Sequence, residues 1–176
     1  NRPKGQLKQD EMGNPYVLSG DWWIMDQQAR PLIAESVQDK REHSATVTFD
    51  ESAVTASVDI FLEQRIGRCD AGLWIGMNPG DERIGIVLAA EGPLVRVEVH
   101  RRTGIEERKI YEEAWNTTKR GFNLQIETGK RLRFRVDRRE CYRICSDQLR
   151  VSAVSLTSNG DLGNRFDNLF VRRLER

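Results

Sequence analysis

The side chains with the most binding chemistry in this sequence are four tryptophans, two histidines and an alternating run of arginines. Aromatic faces stack on apolar ligand surfaces such as the C–H patches of sugars, while amide, carboxylate or guanidinium groups hold hydroxyls. Trp22 and Trp23 are neighbours, so on a strand they point to opposite sides. Trp74 stands between Leu73 and Ile75, faces away from both, and is a candidate to line the second surface of its sheet. Trp115 precedes Asn116-Thr117-Thr118 and reads as the most accessible of the four. That tripeptide also fits an N-glycosylation acceptor, relevant to a secreted eukaryotic chain.

Arg96 and His100 alternate with Glu98 along the polar side of one predicted strand. Together with Tyr111 they could supply a base and a cation for opening a uronate, although a solvated strand face uses the same residues. His43 falls in the polar run from Asp39 and reads as a surface turn. Arg131, Arg133 and Arg135 alternate with Leu132, Phe134 and Val136, which puts three guanidiniums on one face. With Arg96 or Arg150 on an adjoining strand they would form a basic stripe able to clamp carboxylates or sulfates. An acidic polysaccharide would suit that stripe. The alternative is a solvated face neutralised by Asp137 and Glu140.

These side chains need a scaffold, and the scaffold reads as β throughout. Apolar residues recur with a period of two and are broken at short intervals by turn residues, the mark of a sandwich or barrel. Val54, Ala56, Val58, Ile60 and Leu62 share one face, and Thr55, Ser57, Asp59 and Phe61 share the other. Val95, Val97 and Val99 do the same in the next half. Turns are expected at Asn78-Pro-Gly-Asp81, Glu91-Gly-Pro93, Thr103-Gly104 and Thr128-Gly-Lys130. Roughly a dozen strands result. Glu112 to Gly121 is the segment expected to form a short helix or a long loop. The one-sided strands predict an all-β, two-sheet antiparallel sandwich over residues 15–176, with 1–14 as an N-terminal extension or edge segment.

Composition sets the outer limits. The chain has 176 residues, enough for one domain with a sizeable core. A formal net charge of +1 gives no electrostatic footprint for nucleic acid, and no apolar run is long enough to span a bilayer. The chain opens on Asn1 without a visible signal peptide, and reads as processed or excised from something longer. Cys69, Cys141 and Cys145 cannot all pair internally. Bridging Cys141 to Cys145 needs a tight turn, because residues four apart on an extended strand lie out of reach. Reduced, half-buried thiols are the other reading.

Several segments taken in order resemble the concanavalin A-like lectin and glucanase superfamily, including its laminin G-like and keto-glycoside hydrolase-like members. They are Gly20-Asp-Trp-Trp-Ile-Met-Asp26, Phe49 to Phe61, Ala71-Gly-Leu-Trp-Ile-Gly76 and Lys130 to Val136. The close is the most specific: Val151-Ser-Ala-Val-Ser-Leu156, a glycine-bearing loop, then Phe166-Asp-Asn-Leu-Phe-Val171. Ser152 and Ser155 depart from the pattern, where the family often has glycine. The resemblance implies a concanavalin A-like jelly roll that handles sugar chains outside the cell or in the periplasm.

The same resemblance bears on catalysis and on metal. Laminarinase-type members carry Glu-x-Asp-x-x-Glu on one strand, because a retaining hydrolase needs two carboxyl groups about 5 Å apart. Here Asp59 matches the central aspartate, but Ser57 stands where the nucleophile belongs and Glu63 misses the acid position. The keto-glycoside hydrolase pattern has Asn-Ser-Gly where this chain has Cys69-Asp-Ala-Gly72. Some sandwiches of this fold hold a structural calcium near the final strand, which would make Asp167 a ligand with Asp161 or Asp21 as companions. The expectation is therefore a non-catalytic module for a glycan or other extracellular ligand, part of a larger protein. Its candidate contacts are Trp74, Trp115, Arg96, His100, Arg133 and Arg135. A glycosidase or lyase on the same scaffold, and a protein-interaction domain, are the alternatives.

Overall fold

In the computed structural model, the described residues are 5–6, 17–19, 22–25, 28–31, 43–63, 67–78, 81–145, 150–159 and 164–174. Their first strands are β1 (Gly5–Gln6), β2 (Val17–Ser19), β3 (Trp22–Met25), β4 (Gln28–Pro31) and β5 (His43–Glu51). The long central strands are β6 (Val54–Phe61), β7 (Arg68–Asn78), β8 (Glu82–Glu91), β9 (Leu94–Thr103) and β10 (Glu106–Asn116). The last are β11 (Gly121–Glu127), β12 (Arg131–Val136), β13 (Arg139–Cys145), β14 (Arg150–Asn159) and β15 (Arg165–Arg173).

They form two sheets. One has eight strands in the order β1-β3-β4-β15-β6-β11-β12-β13, the other seven in the order β10-β9-β8-β7-β14-β5-β2. The core lies between them and is what the period-two pattern anticipates. Val54, Ala56, Val58 and Ile60 of β6 are buried, as are Leu124 and Ile126 of β11 and Phe134 of β12. From the other sheet come Leu73 and Ile75, Ile84, Ile86 and Leu88, and Val95, Val97 and Val99. Each large side chain so buried contributes roughly 1.5–3 kcal/mol relative to exposure, so the one-sided strands are stable only when stacked.

One expectation changes, and one strand appears where none was assigned. Residues 112–116 are not helix or loop: β10 runs through to Asn116, and only 117–120 connect it to β11. The strand was hidden because its register shifts between Lys109 and Tyr111, which reverses the parity of the pattern at Ile110. Residues 139–145 form a further strand, entered through Asp137 and Arg138, both at positive φ as a two-residue hairpin turn requires. Cys141 and Cys145 share that strand and no disulfide joins any of the three cysteines, Cys69 in the core, Cys141 half-buried and Cys145 exposed.

The expected segment 1–14 is described only at Gly5–Gln6, which pairs with Trp23 and Ile24 on the edge of the eight-stranded sheet. Among the described residues no helix is long and apolar enough to cross a membrane.

Candidate functional site

The outer face of the seven-stranded sheet carries a recess built by strand parity. On β7 the residues that point away from the core are Asp70, Gly72, Trp74 and Gly76, and on β9 they are Arg96, Glu98, His100 and Arg102. Pairing aligns them into rows. His100 stands opposite Gly85, Gly85 opposite Trp74, and Trp74 opposite Ser155. The next row runs Glu98, Val87, Gly72 and Thr157, and the one after it Arg96, Ala89, Asp70 and Asn159.

Glycines in these rows let an indole lie down. A β-carbon on Gly85 would stand 2.3 Å from Trp74 Cδ2, and one on Gly72 would stand 2.8 Å from Trp74 Nε1. The ring therefore rests on bare backbone, with only 3% of its residue surface exposed. Its Nε1 donates to Thr157 Oγ1 at 3.0 Å, which satisfies the buried indole N–H. The Arg102 guanidinium sits 5.2 Å from the ring centroid, and the His100 ring centroid is 6.2 Å away.

Beside this floor is a recess of about 100 Å³, walled by Arg68 and Asp70 of β7, Glu98 and His100 of β9, Glu107 of β10, and Thr157 to Asn159 of β14. Glu98 is the electrostatic centre, a carboxylate with no exposed surface. His100 Nε2 donates to its Oε2 at 2.8 Å, Arg68 Nη2 donates to the same oxygen at 3.3 Å, and Lys109 Nζ reaches Oε1 at 3.4 Å. Burial pushes the Glu98 carboxyl up, but His100, Arg68 and Lys109 outweigh it and hold the group below the usual carboxylate range. Asp70 goes the other way: burial raises it, against the opposing pull of Arg68, whose Nε donates to Asp70 Oδ1 at 2.7 Å. His100 Nδ1 lies 2.8 Å from Glu107 Oε1, and Arg102 Nε donates to Glu107 Oε2 at 2.9 Å.

Fully buried Asn164 fixes one end of the recess from behind. Its amide nitrogen donates to the Asp70 carbonyl at 2.8 Å, to Ser158 Oγ at 3.1 Å and to the Asn159 carbonyl at 3.3 Å. Its oxygen accepts the Glu63 amide at 3.0 Å. Nothing in the sequence singles out Asn164, Arg68 or Thr157. Glu98 was visible as the residue between Arg96 and His100.

Of the six residues singled out as contacts, the structure brings Trp74 and His100 together. Arg96 shares their face one row further on and lies 3.6 Å from Glu91 and 3.9 Å from Glu112. Trp115 is not on a loop: it is in β10, half-buried, its ring 6.3 Å from Phe122. Arg133 and Arg135 belong to the other sheet, far along the strand order from Arg96 and Arg150, so the larger basic stripe does not assemble. Both are held by Glu127, at 3.3 and 2.8 Å. His43 is buried at the start of β5 rather than exposed on a turn.

The strand with the broken laminarinase spacing also lies in the eight-stranded sheet. Asp59 there accepts the amides of Asn123 and Asn168, both at 2.8 Å, and Glu63 pairs with Arg165 at 2.6 Å. Asp167 Oδ1 accepts the Asn168 backbone amide at 2.8 Å. Asp161 and Asp21, its expected companions around calcium, lie outside the described residues. Among the described residues, no group of three or more His, Cys, Asp or Glu is placed to hold a metal ion.

No family model matches the sequence, and no curated protein matches it. Solved structures do match in shape. The carbohydrate-binding module CBM66 from Bacillus subtilis superposes with a TM-score of 0.66 at 16% identity, over 89% of this chain and 94% of that one. A legume lectin-like domain from Entamoeba histolytica gives 0.67 at 14%, over 97% of each chain. The fold is the concanavalin A-like jelly roll. The laminarinase from Rhodothermus marinus shares that jelly roll too, with a TM-score of 0.62 at 13% identity over 98% of this chain and 94% of the enzyme. At such identities the likeness establishes the fold alone.

Proposed function

We propose that this jelly roll is a non-catalytic carbohydrate-binding module and that its ligand sits in the recess beside Trp74. One observation carries the reading: an indole laid flat on glycine, next to walls of hydroxyl, amide, carboxylate and guanidinium groups. The indole, only 3% exposed and covered by Arg102, shapes the floor of the recess, and the donors and acceptors above it suit a sugar's hydroxyls. Two of the similar structures bear the names of a carbohydrate-binding module and a legume lectin-like domain, which supports the same reading. The same reading places the domain outside the cytoplasm.

Two carboxyl groups of opposite proton affinity in one recess favour a second reading, a glycoside hydrolase using Asp70 and Glu98. It is the weaker one. A nucleophile must present an oxygen to the sugar, whereas Glu98 is wholly covered and held by Arg68, His100 and Lys109. A protein-docking role has less in its favour. Among the described residues the exposed large apolar side chains are Ile105, in the turn between β9 and β10, and Phe170, on β15 of the other sheet.

The test is a glycan array and polysaccharide pull-down, run with and without calcium so that a role for Asp167 is examined as well. Binding to at least one glycan, weakened about tenfold or more by Trp74→Ala, is expected. Failure to bind any glycan would sink the reading, and release of reducing ends would replace it with the hydrolase.

A further inference from the structure

We infer that the recess takes an uncharged sugar residue and excludes uronates and sulfated sugars, an inference that rests on the carbohydrate-binding reading above. The ground is the state of its charges. Three carboxylates line the recess, Asp70, Glu98 and Glu107, against one guanidinium, that of Arg68, and the His100 imidazole. Arg68 is already committed: its Nε donates to Asp70 at 2.7 Å and its Nη2 to Glu98 at 3.3 Å. The cations just outside are committed as well, Arg102 to Glu107 and Lys109 to Glu98 and Glu112.

An incoming carboxylate or sulfate would have to break one of these pairs while facing the remaining acids. A partly desolvated site magnifies that repulsion, and like charges brought together are a strong means of rejecting a ligand. A hydroxyl meets no such penalty. It can donate to a carboxylate oxygen with spare lone pairs and accept from Thr157, Ser158 or Asn159 without disturbing the ion pairs. Glu107 stands at the rim with about a third of its side chain exposed, where an approaching anion faces it beside Arg68, whose charge Asp70 and Glu98 already hold. The geometry makes Glu107 a specificity-determining residue.

Isothermal titration of the purified chain with gluco-, galacto- and manno-tetraoses, each beside its C6-oxidised uronate counterpart, tests this directly. For any pair that binds, the neutral member is expected to bind at least about tenfold more tightly, and Glu107→Gln is expected to narrow that ratio several-fold. The ratio is the readout because it is unaffected by the folded fraction of a variant. A uronate that binds as tightly as its neutral partner, or a ratio unmoved by Glu107→Gln, overturns the inference and leaves sugar binding intact. Absence of binding to both members of all three pairs, together with an empty glycan array, overturns both.

Discussion

Trp74 lies across Gly85 on the adjacent strand, so close that a β-carbon there would stand 2.3 Å from the indole Cδ2 and 2.7 Å from Cγ and Cε3. Two strands thus share one side chain's worth of space, and the glycine supplies it. Gly85→Ala must lift the ring off the sheet and strain its bond to Thr157. The expected cost is about 1–3 kcal/mol, the usual price of overpacking, with weakened glycan binding and a shifted tryptophan emission. Chemical denaturation checks the first and fluorescence the second.

Glu98 should govern part of the acid limb of stability. Its carboxyl is held below the 4.5 of a free glutamate, so it stabilises the fold above that pH and loses the contribution as pH falls through its folded value. Asp70, raised from 3.8, acts in the opposite sense, because its protonation on the way down favours the fold. Glu98→Gln, which leaves Arg68 and Lys109 facing a neutral amide, is expected to cost about 2 kcal/mol or more at neutral pH. The gap between variant and parent should narrow as pH falls below 4.5 and on through the folded value of Glu98. Urea melts across that range measure it, and a gap that stays constant would refute the assignment.

The positive φ of Asn168 and its hydrogen bond to Asp59 make one device, a bulge in β15 pinned to β6. Asn168→Gly keeps the backbone conformation and loses the bond; Asn168→Ala loses the bond and strains the backbone by a further 1 kcal/mol or so. Alanine should therefore be the more destabilising, a ranking opposite to the usual one inside a strand. Thermal melts of the pair decide it.

The thiols should react in a fixed order. Exposed Cys145 is expected to alkylate first. Cys141, whose thiol burial pushes up to about 11, should lag well behind it, and core Cys69 should react only on unfolding. Mass spectrometry after timed iodoacetamide treatment reads all three.

Much of the scaffold was legible because alternation survives wherever a strand has one wet and one dry face, as in Val54 to Leu62 or Val95 to Val99. It failed at Ile110, where a bulge reverses parity, and so Trp115 looked like a loop residue instead of a half-buried one. The outward direction of Trp74 was readable from Leu73 and Ile75. Its companions were not, since Arg68, Glu98 and Thr157 come from three strands whose order is set by pairing and not by proximity along the chain. Arg133 and Arg135 misled for the complementary reason: parity gives the face, but not which sheet the face belongs to.

The strand order also sets a timetable. β14 pairs with both β7 and β5, and β15 with both β4 and β6, so the last strands described sit inside the sheets and not at their margins. Neither sheet can be finished while those residues are still missing. A chain emerging from the ribosome must hold its valine-rich ribbons half-assembled until they arrive, exposed to mispairing in the interval. Such long-range closure favours slow folding and makes loss of residues 150–174 a failure of the whole domain rather than a local trim.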